Sequence, residues 1–173
     1  MRARTYGDYL PVMLQLLDPK KEETILDVGA GIGYIASRVA KSCDNVYALE
    51  PNDDKVEFVK SHFPEVKAFS GNVSSIPFPE SYFNKIYVVA ALHHFRDQDM
   101  AVNEMARVLK SSGRILIHES NPERMGAKAE TRLAKGVRFI ESSRLKEIVE
   151  GQGFKMVELR NVRSSYFLLA EKE

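Results

Sequence analysis

Residues 24–36 read Thr-Ile-Leu-Asp-Val-Gly-Ala-Gly-Ile-Gly-Tyr-Ile-Ala, and their pattern decides the fold. Thr24 to Asp27 form a short apolar stretch ending in a carboxylate. Glycines follow at alternate positions, Gly29, Gly31 and Gly33. Ile35, Ala36, Val39 and Ala40 then recur at helical spacing. Strand, glycine turn and helix make the unit that brings a ligand against bare backbone. Glycine tolerates positive φ and carries no Cβ, and the first N–H groups of the helix point toward whatever lies there.

The spacing separates two ligand classes. A dinucleotide fingerprint places its third glycine three residues after the second, as G-x-G-x-x-G. Here the order is Asp27-x-Gly29-x-Gly31-x-Gly33, with Tyr34 next. An acid two residues before the first glycine repels a pyrophosphate and suits a cation such as an α-ammonium. The plainer reading, a turn with no ligand, is disfavoured by the segments downstream.

Those segments repeat the alternation. Residues 7–18 suggest an opening helix, with Tyr9, Leu10, Val12, Met13, Leu16 and Leu17 on its apolar face, ended by Asp18-Pro19. Strands are predicted at Asn45–Glu50, Glu65–Phe69, Asn84–Ala90 and Arg114–Glu119. Helices are predicted from Asn52 or Asp53 to His62, from Asp97 to Lys110, and from a capping Ser142 to Gly151. The near-continuous apolar run Ile86–Leu92 reads as a parallel strand covered on both faces. Phe154–Leu159 and Ser165–Ala170 are joined by too few residues for a crossover, so they form an antiparallel pair. The expectation is a three-layer α/β/α, doubly wound sheet of seven strands, mostly parallel with the last antiparallel.

At 173 residues the chain is expected to be a single domain. Its 25 basic and 24 acidic residues leave a net charge of +1, which supplies no field for nucleic acid. The lone Cys43 cannot close an internal disulfide. The longest apolar run has seven residues, Ile86–Leu92, well short of the ~18 that suggest a membrane span. No apolar run follows the arginines of the N-terminus, so a cytoplasmic location is expected.

Ligands of open α/β sheets lie beyond the carboxyl ends of the strands. Asp27, Glu50, Asn72 and Ala90 to His94 stand at those ends. Glu50 is placed to accept two ribose hydroxyls, a role that serves NAD equally well. The plainer readings are a surface acid for Glu50, a turn former for Asn72, and loop packing for His93 or His94.

The 24–36 stretch resembles motif I of the class I S-adenosylmethionine-dependent methyltransferases, and the resemblance runs over roughly 24–172. It is nearest to the small-molecule ubiquinone/menaquinone-type (methyltransferase domain 11-like) members. Ile76-Pro77-Phe78-Pro79-Glu80-Ser81-Tyr82-Phe83 and Leu92-His93-His94-Phe95 are similar to stretches of those enzymes. The resemblance implies S-adenosyl-L-methionine as cofactor, held by Asp27, Gly29, Ala30, Gly31, Gly33, Glu50, Pro51, Asn52, Asn72, Val73 and Ala90. Pro51 and Asn52 would flank the adenine, Asn72 would accept from its amine, and the Val73 N–H would serve the ring. Asn72 and Asn84 stand where the family commonly has aspartate.

The stretch Ala90–Phe95 sorts the acceptors. It lacks the (Asn/Asp/Ser)-Pro-Pro-(Tyr/Phe) signature of enzymes that methylate exocyclic base amines. Cys43 has no proline partner of the kind that marks cytosine-C5 enzymes. A small-molecule methyl acceptor is therefore expected, with His93 and His94 as candidate catalytic bases. The alternatives are a methyltransferase acting on RNA or protein, and a non-catalytic S-adenosylmethionine-binding module. Residues 1–20 are expected to cover the site and 120–140 to form a substrate lid. Arg124, Lys128, Arg132, Lys135 and Arg138 make a basic stripe there, read first as a solvated face.

Overall fold

The computed structural model describes residues 9–125 and 138–173. Its elements are α1 (Leu10–Leu17), β1 (Thr24–Val28), α2 (Tyr34–Val39), β2 (Asn45–Glu50), α3 (Asp53–His62), β3 (Val66–Ser70) and β4 (Phe83–Val89). A 3-10 turn at Leu92–His94 leads to α4 (Gln98–Val108) and β5 (Leu109–Ser120). A second 3-10 turn at Pro122–Arg124 precedes α5 (Ser142–Gly151), β6 (Phe154–Val162) and β7 (Ser165–Lys172).

The sheet has seven strands in the order β3-β2-β1-β4-β5-β7-β6. β1 to β5 are parallel, and β7 runs antiparallel to both β5 and β6. Two cores flank it. On one face, Met13, Leu16 and Leu17 of α1 pack with Ile35, Val39 and Val59 over Ile25, Tyr87 and Leu116. On the other, Val102 and Met105 of α4 and Leu145 and Val149 of α5 cover Leu26, Ile86, Val88 and Ile115. The order reverses between β1 and β4, so the carboxyl ends of those strands open into a crevice.

Several boundaries differ from the sequence expectation. The helix expected to reach Lys110 stops at Val108, and the next strand starts at Leu109. Tertiary partners take the last carbonyls: Ser81 N donates to Arg107 O, Tyr82 N to Val108 O, and Lys172 Nζ to Ala106 O at 2.7 Å. Leu109 is fully buried and pairs with Phe83. Helix α5 has Glu141 at its N-cap, without a side-chain bond, and Ser142 is its first residue. Asn52 does cap α3, accepting from Lys55 N at 3.0 Å. Phe78 and Phe83 sit in an aromatic cluster with Tyr47, Phe69 and Tyr82, as sheet packing predicts. Asn84 Oδ1 accepts from Thr24 N and Lys110 Nζ, tying β4 to its neighbours. Cys43 is buried and bonds to Glu23 O, a structural role.

Among the described residues, no helix is long and apolar enough to cross a membrane. Tyr6, Lys128, Arg132 and Lys135 lie outside the described residues, as does most of the expected lid. Of the basic stripe, Arg124 donates to Arg163 O and Arg138 to Arg96 O.

Candidate functional site

A cavity of about 1120 Å³ opens at the carboxyl ends of β1, β2 and β4. The carboxylates Asp27 and Glu50 end two adjacent strands, and both line it. So do Gly29, Ala30, Gly31, Pro51, Asn72, Val73, Ala90 and His94. Gly33, Asn52 and His93 were expected at the site but do not line the cavity.

The glycine turn is built by contacts that glycine alone permits. Gly31 has φ +58 and nothing within 4 Å of where a Cβ would stand, so that side faces open cavity. Gly29 is required by close approach, because an added Cβ would lie 2.6 Å from Ala91 Cβ. The same logic explains Gly33, where Val59 Cγ2 would be 2.7 Å away. Gly33 serves the contact between α2 and α3.

The turn's N–H groups do not all face the cavity. Gly29 N and Ala30 N both donate to Leu49 O, and Gly31 N donates to Glu50 Oε2 at 2.9 Å. Glu50 Oε1 accepts from Lys55 Nζ at 3.1 Å and from Asn52 N at 3.3 Å. Glu50 therefore clasps the turn as well as facing the cavity. It is only 6% exposed, which makes these charge-assisted bonds its compensation for burial.

Asp27 is buried, and burial pushes its carboxyl up to about 7. The nearby Tyr87 hydroxyl offsets part of this rise and the Glu50 charge adds to it. Tyr87 is the register partner of Asp27 on β4. Burial and the neighbouring Asp27 drive the Tyr87 phenol well above its ordinary value. A cation brought to Asp27 would restore the ionised carboxylate.

Asn72 lines the cavity, but its Oδ1 accepts from Ser74 N at 3.0 Å and Ser74 Oγ at 3.1 Å. The oxygen expected to receive an adenine amine closes a local turn instead. This is the common habit of an Asn side chain two residues before a free N–H.

The loop after β4 carries strain. Ala90 has φ +51, unusual for a residue with a Cβ. Its N–H donates to His118 O at 2.9 Å, which fixes that bend. His93 turns inward: its Nδ1 lies 2.8 Å from Glu119 Oε2, and its N–H donates to Glu119 Oε1 at 3.3 Å. The His94 ring lies against that of His93, 4.1 Å between centroids, and lines the cavity. The two expected histidines are thus separated by one residue's rotation in a 3-10 turn.

Sequence reasoning did not single out Lys55, Phe95, Arg96 or Met100, which also line the cavity. Lys55 was legible in principle, since the first turn of α3 must rise beside Glu50. Phe95 and Arg96 follow from where the 3-10 turn ends, which no local pattern announced. Among the described residues, no three histidine, cysteine, aspartate or glutamate side chains gather as a metal site requires.

The fold is shared with known methyltransferases. A model of the methyltransferase domain matches residues 26–117, just over half of the chain. An uncharacterized methyltransferase of Bacillus subtilis is 34% identical over 116 residues, 64% of this chain and 46% of that protein. A probable S-adenosylmethionine-dependent methyltransferase of Mycobacterium tuberculosis is 30% identical over 111 residues, 64% of this chain and 40% of that protein. The crystal structure of the Bacillus subtilis YcgJ protein matches at 26% identity with a TM-score of 0.77, over 88% of this chain and 71% of that one. The chain spans about half the length of the curated relatives it matches. The chain belongs to the methyltransferase domain family, within the class I S-adenosylmethionine-dependent methyltransferases.

Proposed function

We propose that this protein transfers a methyl group from S-adenosylmethionine to a small-molecule acceptor by in-line displacement. One observation carries the reading: Asp27 and Glu50 face a single cavity across the Gly29–Gly31 turn. Two carboxylates at adjacent strand ends repel a pyrophosphate and suit an ammonium and a ribose diol. The open side of Gly31 leaves room for a ligand against the backbone.

In this reading Asp27 faces the α-ammonium and Glu50 the ribose hydroxyls. Pro51 and Val73 border the adenine, and Asn52 acts through Glu50 and the start of α3. Ala90 lines the wall on the β4 side, with His94 next to it. S-adenosylmethionine supplies a methyl group already activated on a positively charged sulfur. The chain has therefore to align two ligands and exclude water, which accounts for most of such a rate enhancement. His94, which lines the cavity while His93 does not, is the histidine placed beside an acceptor.

The small-molecule reading rests on residues 90–95, which lack the signature of base-amine methylation, and on the net charge of +1. The single buried thiol of Cys43 is in keeping with a cytoplasmic setting.

Calorimetry with S-adenosylmethionine, S-adenosylhomocysteine and NAD tests the cofactor. Binding of the first two and not NAD is expected; NAD binding with neither sulfur ligand would sink the reading. Mass spectrometry of a lysate incubated with the protein and a deuterated methyl donor then reads the acceptor. A labelled molecule of low mass is expected, and label found only in protein or RNA would overturn the small-molecule part.

A further inference from the structure

Arg96 is a cation on the cavity wall that the donor reading leaves unused. Among the described residues nothing pairs with its guanidinium, and only its carbonyl is bonded, by Arg138. Arg107, Arg114, Arg144 and Arg160 behave differently, each meeting an acid at 2.7 to 3.4 Å. Lys55, also on the wall, is spent on Glu50. The acids nearest Arg96 in the chain are committed elsewhere. Asp97 Oδ1 accepts from Met100 N at 2.9 Å and caps α4, and Asp99 meets Arg144. A second cation is drawn to the same rim, because Arg138 Nη1 donates to the Arg96 carbonyl at 3.2 Å.

The cavity has room here for a second ligand. Its volume of about 1120 Å³ exceeds the ~300–1,000 Å³ typical of a site for one small molecule. In the donor reading Asp27, Glu50 and Val73 serve the cofactor from the ends of β1, β2 and β3. The sheet order β3-β2-β1-β4 puts the end of β4 on the far side of Asp27 from the other two. Phe95 and Arg96 follow from that end and line the cavity. Ile32 and Met100 line it as well, and these apolar residues are 54% and 52% exposed.

We propose that Arg96 binds the methyl acceptor, and that the acceptor is a small molecule with an apolar body and a carboxylate or phosphate group. This rests on the methyltransferase reading above. Arginine keeps its charge throughout the working pH range, and its planar fork of donors matches two oxygens of either group. Ile32, Phe95 and Met100 offer the apolar body a surface. Asp27 and Glu50 repel an anion from the empty cavity, but a seated donor answers Asp27 with its ammonium. The competing use of the guanidinium is the donor's own carboxylate, and the test separates the two.

The test uses the full chain saturated with S-adenosylhomocysteine, with benzoate, phenyl phosphate and benzamide as probes read by NMR titration. The three share one apolar ring, and only benzamide is neutral. At least one anion is expected to bind on the order of five- to tenfold more tightly than benzamide, and the tighter anion identifies the group. In Arg96→Gln that preference should fall to near unity, and in Arg96→Lys part of it should remain. Affinity for S-adenosylhomocysteine should be the same in all three chains. Equal binding of the three probes to wild type, or a preference that survives in Arg96→Gln, would overturn the proposal. So would a loss of S-adenosylhomocysteine affinity in Arg96→Gln, which would give the guanidinium to the donor's carboxylate. An Arg96→Gln chain that does not fold would overturn it too, since the guanidinium would then serve the fold. Failure of S-adenosylhomocysteine to bind wild type would instead strike the donor reading, and the probe comparison between wild type and Arg96→Gln without it still reads Arg96.

Discussion

His93 Nδ1 lies 2.8 Å from Glu119 Oε2, and both side chains are almost wholly buried. The second Glu119 oxygen accepts from the His93 N–H. One carboxylate on β5 therefore holds both the backbone and the side chain of the 3-10 turn after β4. Ala91, His94 and Phe95, which line the cavity, are carried by that turn. Glu119→Gln keeps the shape but can answer only one of the two donors with its remaining oxygen. A stability loss of about 1–3 kcal/mol is expected. For a chain of this size that is a fall in Tm of roughly 2–12 °C, read by thermal melting. Glu119→Ala should cost more, because it strands a buried imidazole. A melting curve unchanged in Glu119→Gln would show that the clamp does not stabilise the turn.

Glu50 has two tasks, and Glu50→Gln should reveal both. Glutamine can still accept from Gly31 N through its oxygen, but the charge that meets Lys55 is gone. Hydrogen bonds to charged groups contribute about 1.5–3 kcal/mol. A loss of about 1–3 kcal/mol in S-adenosylhomocysteine affinity is expected, roughly five- to 150-fold. Most of it should vanish for the 2′-deoxyribose analogue, which has already lost one partner. Calorimetry on the double cycle measures this, and additive losses would remove Glu50 from the 2′ hydroxyl.

The raised Asp27 carboxyl sets a pH dependence. Burial raises it from the ordinary 3.8 to about 7 in the folded protein. Below about 7 the carboxyl is protonated and offers an ammonium no charge. Affinity for S-adenosylhomocysteine should therefore rise between pH 5 and 7, approaching tenfold per unit at the acid end. Binding in that window should release a proton, measurable as a buffer-dependent calorimetric enthalpy. The stability effect has the opposite sense. The folded state holds a proton that the unfolded state loses, so this group's contribution falls as pH rises from about 4 to 7. Asp27→Asn should flatten both trends.

The glycines of the turn should separate by readout. Gly31→Ala places its Cβ in open cavity at φ +58, at a backbone cost of about 1–2 kcal/mol. The fold should survive by circular dichroism while donor affinity drops at least tenfold. Gly33→Ala drives a Cβ to 2.7 Å from Val59, so its loss should appear chiefly in Tm. Equal affinity for wild type and Gly31→Ala would mean that no ligand lies along the turn.

The sequence alone determined much of this molecule because its signals are local. An apolar run, a glycine triplet and a cap at Asn52 or Asp53 fix strand, turn and helix within a few residues of themselves. Alternation then leaves a parallel sheet as its consequence, and the short link between β6 and β7 forces their antiparallel pairing. The positions of Asp27 and Glu50 followed from the same reasoning, since strand ends in such sheets converge on one crevice.

Tertiary structure decided what the side chains do there. Whether Glu50 also holds Gly31 N depends on how β1 and β2 sit side by side. Asn72 spends its oxygen on Ser74, a choice between local and ligand partners that the residue type leaves open. His93 and His94 are identical in sequence, yet Glu119, 26 residues beyond His93, draws one inward and leaves the other at the cavity. His118 falls inside the strand predicted over Arg114–Glu119, and nothing in the sequence sets its ring apart. Only burial against Tyr9 and Phe167 shows its ring without a partner, because burial and pairing are properties of the assembled sheet.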